Sequence, residues 1–442
     1  MWQALSNNPI LQLFVAIFIL FLFSFDRNLL VTQYLFGGRS NIWLITIFAT
    51  FLVMYFLFLM TLLKGRLVIR KKDRGLMLIT FLLALYFLLH ELIFSDSLVS
   101  IKYSVFLFLI SIVLSIRYNF FFIFKVLGYL GGVIGFIVIF QQIALYFLTS
   151  GNISSYDVAI SGELWGRSPS CDFVAPLGIG LFERCAASPD FVIGDFTINR
   201  SIFFSTEPKY AASILLVTFS CLLLSTTKSF ARSIFIFSHL LSFVFILAGS
   251  AFVILFLSPI IVYFRFIGAK LYSALIFIAP VLILPALVQF FISIAGEESF
   301  ILFRLLGAAT DIGDGGFNNY SIFGESFGSS CDGQACKDQG LLGSLTSTYG
   351  LIGLLLFWWF FYKLVTPMFE SYKIQKINKS QKIGFMILLN TYVVFNIYFF
   401  SDIFNMFGLF IILTLILLPG YLDSKNEEKM LSQNETVLKG GV

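Results

Sequence analysis

Charged residues are scarce in this chain, and their scarcity excludes a water-soluble globular protein. Of the 442 residues only 12% are charged, whereas 59% are hydrophobic and 57 are phenylalanine. A soluble domain carries about twice that share of charge. The composition therefore predicts an all-α polytopic membrane protein whose apolar helices lie in a lipid bilayer.

Histidine is also scarce, and the common nucleotide-binding motifs are missing. The two histidines, His90 and His239, fall in predicted helices, which speaks against a zinc site. The sequence has no Walker motif and no dinucleotide-binding fingerprint. The net charge of +5 reflects membrane topology and gives no reason to expect a nucleic-acid partner. We expect neither a metal nor a cofactor.

Apolar runs of membrane-spanning length, about 17 to 25 residues, recur along the whole chain. The first run is followed by Asp26 and Arg27 and not by a small-residue cleavage site, so we interpret it as a retained helix. The short pair at 233–264 is two helices or one broken helix. Counting it as two, we predict twelve helices, near 9–25, 41–63, 75–93, 98–116, 126–148, 208–227, 233–248, 250–264, 271–293, 341–362, 384–402 and 404–421.

Two long connections divide the predicted helices into three groups. Residues 1–148 hold the first five helices, 208–293 the next four, and 341–442 the last three with a C-terminal tail. Between these groups lie 149–207 and 294–340. Connections longer than about 12 to 15 residues are usually functional or disordered. The aromatic residues and cysteines in these two argue against disorder, so we look for function there.

The distribution of Lys and Arg predicts the orientation in the membrane. Most of the 29 Lys and Arg fall on one side of the predicted helices, including six between 64 and 74. Loops rich in Lys and Arg stay in the cytoplasm. The pattern therefore places both termini in the cytoplasm and both long connections outside it.

The cysteines are concentrated in the two long connections. Cys171 and Cys185 lie in the first, Cys331 and Cys336 lie in the second, and Cys221 lies in a predicted helix. An even number of cysteines in each segment facing an oxidising compartment is typical of disulfide bonds. We predict one disulfide in each connection, with a metal site as the alternative.

One predicted helix carries glycines along a single face. Gly128, Gly131, Gly132 and Gly135 recur at helical spacing within 126–148. Small residues in such a pattern let neighbouring helices approach closely. We interpret this face as a packing surface without a catalytic role.

The first long connection ends in a cluster of polar residues at the edge of an apolar helix. Arg200, Glu207, Lys209 and Tyr210 lie within eleven residues. An ionised side chain inside a bilayer costs about 2.5 to 3.5 kcal/mol on insertion scales. The cluster is therefore either an interfacial anchor or an anion site that faces water.

Further charged and amide residues in the two connections favour the anion site. Arginine binds phosphate oxygens in pairs, and a nearby carboxylate can take a proton from an incoming hydroxyl. This combination suits a lipid-linked phosphate that carries a polar group. The secondary candidates are Arg167, Arg184, Glu325, Asn318 and Asn319.

The order of these motifs resembles the O-antigen polymerase and ligase superfamily of bacterial envelope glycosyltransferases. The similarity covers roughly 200 to 360 and rests on Arg200, residues 207–212 (EPKYAA), Arg304, residues 323–328 (FGESFG), residues 338–340 (DQG) and residues 349–353 (YGLIG). Ligases of this superfamily generally carry His-Asn near 338–340, where many polymerases carry an acidic residue. Asp338 therefore makes this chain more similar to a polymerase.

The resemblance implies a metal-independent glycosyl transfer on the periplasmic face of the inner membrane. The donor would be a growing polysaccharide on undecaprenyl diphosphate, and the acceptor another lipid-linked repeat unit. Arg200 and Arg304 would bind the diphosphate with support from Lys209 and Tyr210, and Asp338 would be the base in preference to Glu207. A chain-length regulator and a flippase are the implied protein partners.

Two other functions remain open. A ligase or related envelope transferase would use the same kind of donor. A flippase for lipid-linked oligosaccharides, or another transporter, would explain the broken run near 249 and the prolines at 259, 280 and 285, because transporters often contain discontinuous helices.

The charge distribution makes a direct prediction about topology. Single cysteines introduced into 149–207 and 294–340 should react with a membrane-impermeant thiol reagent in intact cells. Cysteines in 64–74 should react only after permeabilisation. Labelling of 64–74 in intact cells would contradict the predicted orientation.

Overall fold

The computed structural model describes residues 8–10, 13–14, 16–17, 74–94, 122–149, 152–153, 156–161, 171–178, 180–185, 191–193, 196–203, 205, 208–225, 229–263, 268–277, 341–373, 378–398, 411–412 and 415. This described part is 83% helical. Two of its helices, Phe124–Leu148 and Tyr349–Glu370, are long and apolar enough to cross a membrane. The described chain is thus mostly helical with two candidate membrane-spanning helices.

Within the described part of the chain, the elements whose bounds are defined include seven α-helices and six strands, and the strands lie together between residues 158 and 203. The helices are α1 (Arg74–Phe94), α2 (Phe122–Thr149), α3 (Pro208–Leu224), α4 (Phe230–Ile246), α5 (Gly249–Tyr263), α6 (Leu341–Lys373) and α7 (Lys379–Tyr392). The strands are β1 (Val158–Ser161), β2 (Cys171–Val174), β3 (Leu181–Cys185), β4 (Phe191–Ile193), β5 (Phe196–Ile198) and β6 (Ser201–Phe203). A π-helical segment, Val393–Tyr398, follows α7.

Several predicted helices are confirmed, and others lie beyond the described residues. Helices α1, α2 and α3 overlap the predictions near 75–93, 126–148 and 208–227. The sequence predicts an end near 362, where the apolar run stops. Helix α6 instead continues through the more polar residues that follow, as far as Lys373. The predicted helices near 41–63 and 98–116 lie outside the described residues.

The chain forms two compact units. One contains residues 1–53, 120–262 and 378–391, and the other contains 54–119, 263–377 and 392–442. The first unit includes α2, α3, α4 and all six described strands. It therefore holds the polar cluster around Arg200.

The run at 233–264 consists of two helices. Helix α4 ends at Leu247, which adopts a left-handed conformation with φ 53° and ψ 35°. The Leu247 backbone N–H donates to the Phe243 carbonyl at 3.2 Å, which closes the last turn of α4. Helix α5 then begins at Gly249, so α4 and α5 have 17 and 15 residues.

The glycine face of α2 packs directly against α3 and α4, as predicted. A Cβ atom added at Gly128 would lie 2.7 Å from the Leu222 Cα of α3, and one added at Gly135 would lie 2.7 Å from the Ser238 Oγ of α4. The Ser238 hydroxyl donates to the Gly132 carbonyl at 2.7 Å. These contacts are closer than any side chain would permit, which explains the run of glycines.

His239 belongs to the same packing surface and has partners for both ring nitrogens. Its Nδ1 lies 2.8 Å from the Phe235 carbonyl oxygen, and its Nε2 lies 3.2 Å from the Thr218 hydroxyl. The residue is fully buried. We therefore assign His239 a role in joining α3 to α4.

The first long connection contains strands, which corrects the all-α prediction. The described residues form a four-stranded antiparallel sheet in the order β1-β2-β3-β6 and a separate β4-β5 hairpin. A turn with Pro176 in its second position joins β2 to β3, and the Gly178 N–H donates to the Ala175 carbonyl at 3.1 Å. Gly178 has φ 67°, a value that favours glycine.

Apolar side chains form a buried cluster on each face of the four-stranded sheet. On one face Val174 and Phe182 pack with Leu145 of α2 and with Ile153. On the other face Phe173, Leu181 and Ile202 form a second cluster. Since Leu145 belongs to the C-terminal turns of α2, the sheet is attached to the end of that helix.

The second unit contains a kinked helix that packs on α1. Gly350 interrupts α6 with φ 65° and ψ −168°, a conformation essentially restricted to glycine. The Tyr86 hydroxyl of α1 donates to the Tyr349 carbonyl at 2.6 Å. The ring centroids of Phe87 and Tyr349 lie 4.3 Å apart. The Tyr-Gly pair of the 349–353 motif is therefore a bend held by α1.

The close contact at Gly128 predicts that one methyl group added there will destabilise the folded protein. Gly128→Ala should lower the free energy of unfolding by about 1 to 3 kcal/mol, the usual cost of overpacking. Gly249→Ala is the matched control, since nothing lies within 4 Å of its added Cβ. Thermal unfolding of both variants in detergent measures the difference. Equal melting temperatures would contradict the close packing of α2 on α3.

The sheet register supports the predicted bond between Cys171 and Cys185. These residues are direct partners in the β2-β3 ladder. Such partners have Cα atoms about 4.5 to 5.5 Å apart, within the disulfide range of about 4.4 to 6.8 Å. Their sulfur atoms lie outside the described part of the structure, as do Cys331 and Cys336, so both bonds remain predictions.

Peptide mapping without reductant should therefore recover Cys171 and Cys185 in one linked pair. Closing this loop of about 15 residues should stabilise the protein by about 3 kcal/mol, so reduction should lower its melting temperature. Recovery of both residues as free thiols from protein isolated under oxidising conditions would show that the prediction is wrong.

Candidate functional site

Arg200 is held against strand β3 by two contacts with one residue. Its Nη1 donates to the Glu183 Oε2 at 3.2 Å, and its backbone carbonyl accepts from the Glu183 N–H at 3.0 Å. The Glu183 side chain is only 3% exposed, whereas that of Arg200 is 36% exposed. A buried carboxylate is strongly destabilising unless it is paired, so the ion pair with Arg200 stabilises Glu183 in the interior.

Arg184, a secondary candidate, makes a separate and more open ion pair. Its Nη2 lies 3.4 Å from the Asp172 Oδ2, and its Nη1 donates to the Tyr156 carbonyl at 3.1 Å. Both side chains of this pair are about 30% exposed. Because successive residues of a strand face opposite sides, Glu183 and Arg184 belong to opposite faces of the sheet. The structure therefore separates Arg184 from Arg200.

Lys209 and Tyr210 lie in the first turn of α3. Pro208 begins this helix, a position that proline favours because its fixed φ suits the first turn. The Lys209 Nζ lies 5.6 Å from the centroid of the Tyr210 ring. Tyr210 is buried and Lys209 is partly exposed. A turn in which the Ser205 N–H donates to the Ile202 carbonyl leads from β6 toward this helix.

The remaining predicted site residues fall outside the described part of the chain. The structure brings Arg200 together with Glu183, and it places Lys209 and Tyr210 at the start of the next helix. The predicted meeting of Arg200 with Arg304 stays a prediction. The residues outside the described part are Glu207, Arg304, Asp338, Arg167, Glu325, Asn318 and Asn319.

Uncharged polar side chains that the sequence analysis missed lie buried beside Arg200. The Gln142 Nε2 of α2 donates to the Asn199 carbonyl, and the neighbouring Gln141 lies against Gly180, where an added Cβ would lie 2.6 Å from its Nε2. The Gln141 amide and the Ser201 hydroxyl have no hydrogen-bond partner among the described residues. Buried polar groups normally pair with protein or ordered water.

Gln141 and Gln142 could have been recognised from the sequence, whereas Glu183 could not. Two consecutive glutamines near the end of an apolar helix are a readable signal. Glu183 has no such signal, because only the pairing of β3 with the strand after Arg200 brings it to the arginine.

Among the described residues no group of three His, Cys, Asp or Glu could hold a metal ion.

Comparisons with known proteins return no relatives. No protein-family model matches the sequence, no curated protein matches it, and no solved structure matches the fold. The similarity to envelope glycosyltransferases therefore rests on the short motifs between 200 and 360.

Proposed function

We propose that this protein is a polysaccharide polymerase of the bacterial inner membrane. It joins oligosaccharide repeat units linked to undecaprenyl diphosphate into O-antigen or a related surface polysaccharide. The observation that carries the proposal is the ion pair of Arg200, whose guanidinium is anchored on a buried carboxylate while the side chain remains 36% exposed. A cation held in this way suits the binding of a diphosphate.

The proposed topology has twelve membrane-spanning helices with both termini in the cytoplasm. The distribution of Lys and Arg supports this orientation, and the two candidate membrane-spanning helices are consistent with it. Both long connections then lie in the periplasm. The folded sheet in the first of them is a scaffold for Arg200 at the membrane surface.

In the proposed reaction an acceptor hydroxyl attacks the anomeric carbon of the donor sugar. The new glycosidic C–O bond forms as the bond from that carbon to the diphosphate breaks. Undecaprenyl diphosphate leaves with the bonding electrons, and a carboxylate accepts the hydroxyl proton. We assign this carboxylate to Asp338, with Glu207 as the alternative. No metal takes part.

The arginines would stabilise the negative charge that develops on the leaving diphosphate. A guanidinium has five N–H donors, and within the described part of the chain only Nη1 of Arg200 has a side-chain partner. The side chain is 36% exposed, so its outer part can be reached by phosphate oxygens. Arg304 would supply the second cation, and Lys209 and Tyr210 would support binding at the start of α3.

A flippase for lipid-linked oligosaccharides is the second candidate function. Two interruptions favour it, the left-handed residue Leu247 between α4 and α5 and the bend at Gly350 in α6. Discontinuous helices line the substrate sites of many transporters. The ion pair of Arg200 has no evident part in transport, so we prefer the polymerase.

Replacing Arg200 tests the proposal in cells. Arg200→Ala should abolish long polymer, and Arg200→Lys should also cause a large defect, because lysine keeps the charge but loses the two-pronged geometry. The readout is polymer length on gels at matched protein levels, alongside Arg304→Ala and Asp338→Asn. Arg74→Lys, at an exposed position in α1, is the matched control and should give wild-type polymer.

The two substitutions at Arg200 separate binding from anchoring. If Arg200→Lys gave wild-type polymer, the arginine would act only as a point charge or a membrane anchor. Wild-type polymer from Arg200→Ala would remove it from the mechanism.

A further inference from the structure

We infer that Glu183 is a positioning residue that orients the Arg200 guanidinium toward the diphosphate of the substrate. The inference rests on the proposed function and adds to it a residue that the family motifs do not include. Glu183 would not touch the substrate. It would act through Arg200.

The two contacts between Glu183 and Arg200 restrict the arginine at both ends. The backbone contact, 3.0 Å from the Glu183 N–H to the Arg200 carbonyl, fixes where the side chain starts. The ion pair, 3.2 Å from Nη1 to Oε2, fixes where the guanidinium ends. A long side chain fixed at both ends presents its remaining donors in one direction, which lowers the entropy lost on binding.

The two side chains are buried to different extents, and this difference sets the direction in which the Arg200 guanidinium faces. Glu183 is 3% exposed and Arg200 is 36% exposed, so the carboxylate lies on the inner side of the pair. The neighbouring pair of Asp172 and Arg184 has 30% and 28% exposure and lacks this inequality. Because both partners of that pair are partly exposed, water screens their attraction and the pair holds neither side chain as firmly. Glu183 and Arg200 therefore form a fixed ion pair in which the arginine side is accessible to solvent.

A simple electrostatic role would have the opposite consequence. If Glu183 only neutralised Arg200, its removal would raise the local positive charge and tighten the binding of anions. If it positions Arg200, its removal should weaken the binding of a diphosphate despite the gain in charge. The sign of the effect therefore distinguishes the two roles.

The test uses the full chain purified in detergent and inorganic pyrophosphate as the probe. Glu183→Leu should weaken pyrophosphate binding by about tenfold or more, as loss of an outer partner does for metal ligands. Glu183→Gln keeps a hydrogen-bond acceptor and should lose less affinity than Glu183→Leu while remaining weaker than wild type. Asp172→Asn is the control and should bind within about twofold of wild type.

A double-mutant cycle shows whether the effect passes through Arg200. In the Arg200→Lys background, Glu183→Leu should cause no further loss of pyrophosphate binding, because the geometry it maintains is already gone. If Glu183→Leu does not fold, Glu183→Gln completes the same cycle. Tighter binding by either Glu183 variant, or additive losses in the cycle, would overturn the inference.

The binding measurement does not depend on polymer formation, so the two proposals can fail separately. Absence of pyrophosphate binding by the wild-type chain would overturn the role of Glu183, whatever the polymer assay shows. Coupled binding in a protein that makes no polymer would support Glu183 as a positioning residue while the polymerase proposal fails.

Discussion

The close approach of α2 to α3 and α4 is the contact on which the rest of the first unit depends. Glycines at 128 and 135 leave space for Leu222 and Ser238, so these helices meet with almost no side chain between them. Leu145, near the end of α2, is then available to the core of the sheet. Strand β6 of this sheet is the last described strand before α3. The position of Arg200 thus follows from helix packing many residues away.

Because side chains alternate between the two faces of β3, neighbouring residues of this strand form different ion pairs, and one of these pairs makes the candidate site. Glu183 and Arg184 are neighbours in sequence, yet one forms a buried ion pair with Arg200 and the other an open ion pair with Asp172. The buried pair combines a fixed carboxylate with a partly exposed cation, an arrangement suited to holding an anion at a surface. The open pair connects β2 to β3 and supports the hairpin.

The sequence predicts the helices better than the sheet, for physical reasons. Long apolar runs and the glycine periodicity of α2 carry strong local signals, and both agree with the structure. Strands of three to five residues carry little periodicity, so the sheet of the first long connection is not evident from sequence. Arg200 and Lys209 stand out because charge is rare near apolar helices, whereas Glu183 depends on the register of β3 with the residues around Arg200.

The lipid-linked glycan that accumulates in cells lacking this protein tests the proposed polymerase most directly. A polymerase adds repeat units on the outer face of the membrane, so its loss should leave single repeat units on undecaprenyl diphosphate, exposed on the periplasmic side. Full-length polymer retained on the lipid would instead indicate a ligase. Single repeat units confined to the cytoplasmic leaflet would indicate a flippase, and either result would contradict the account.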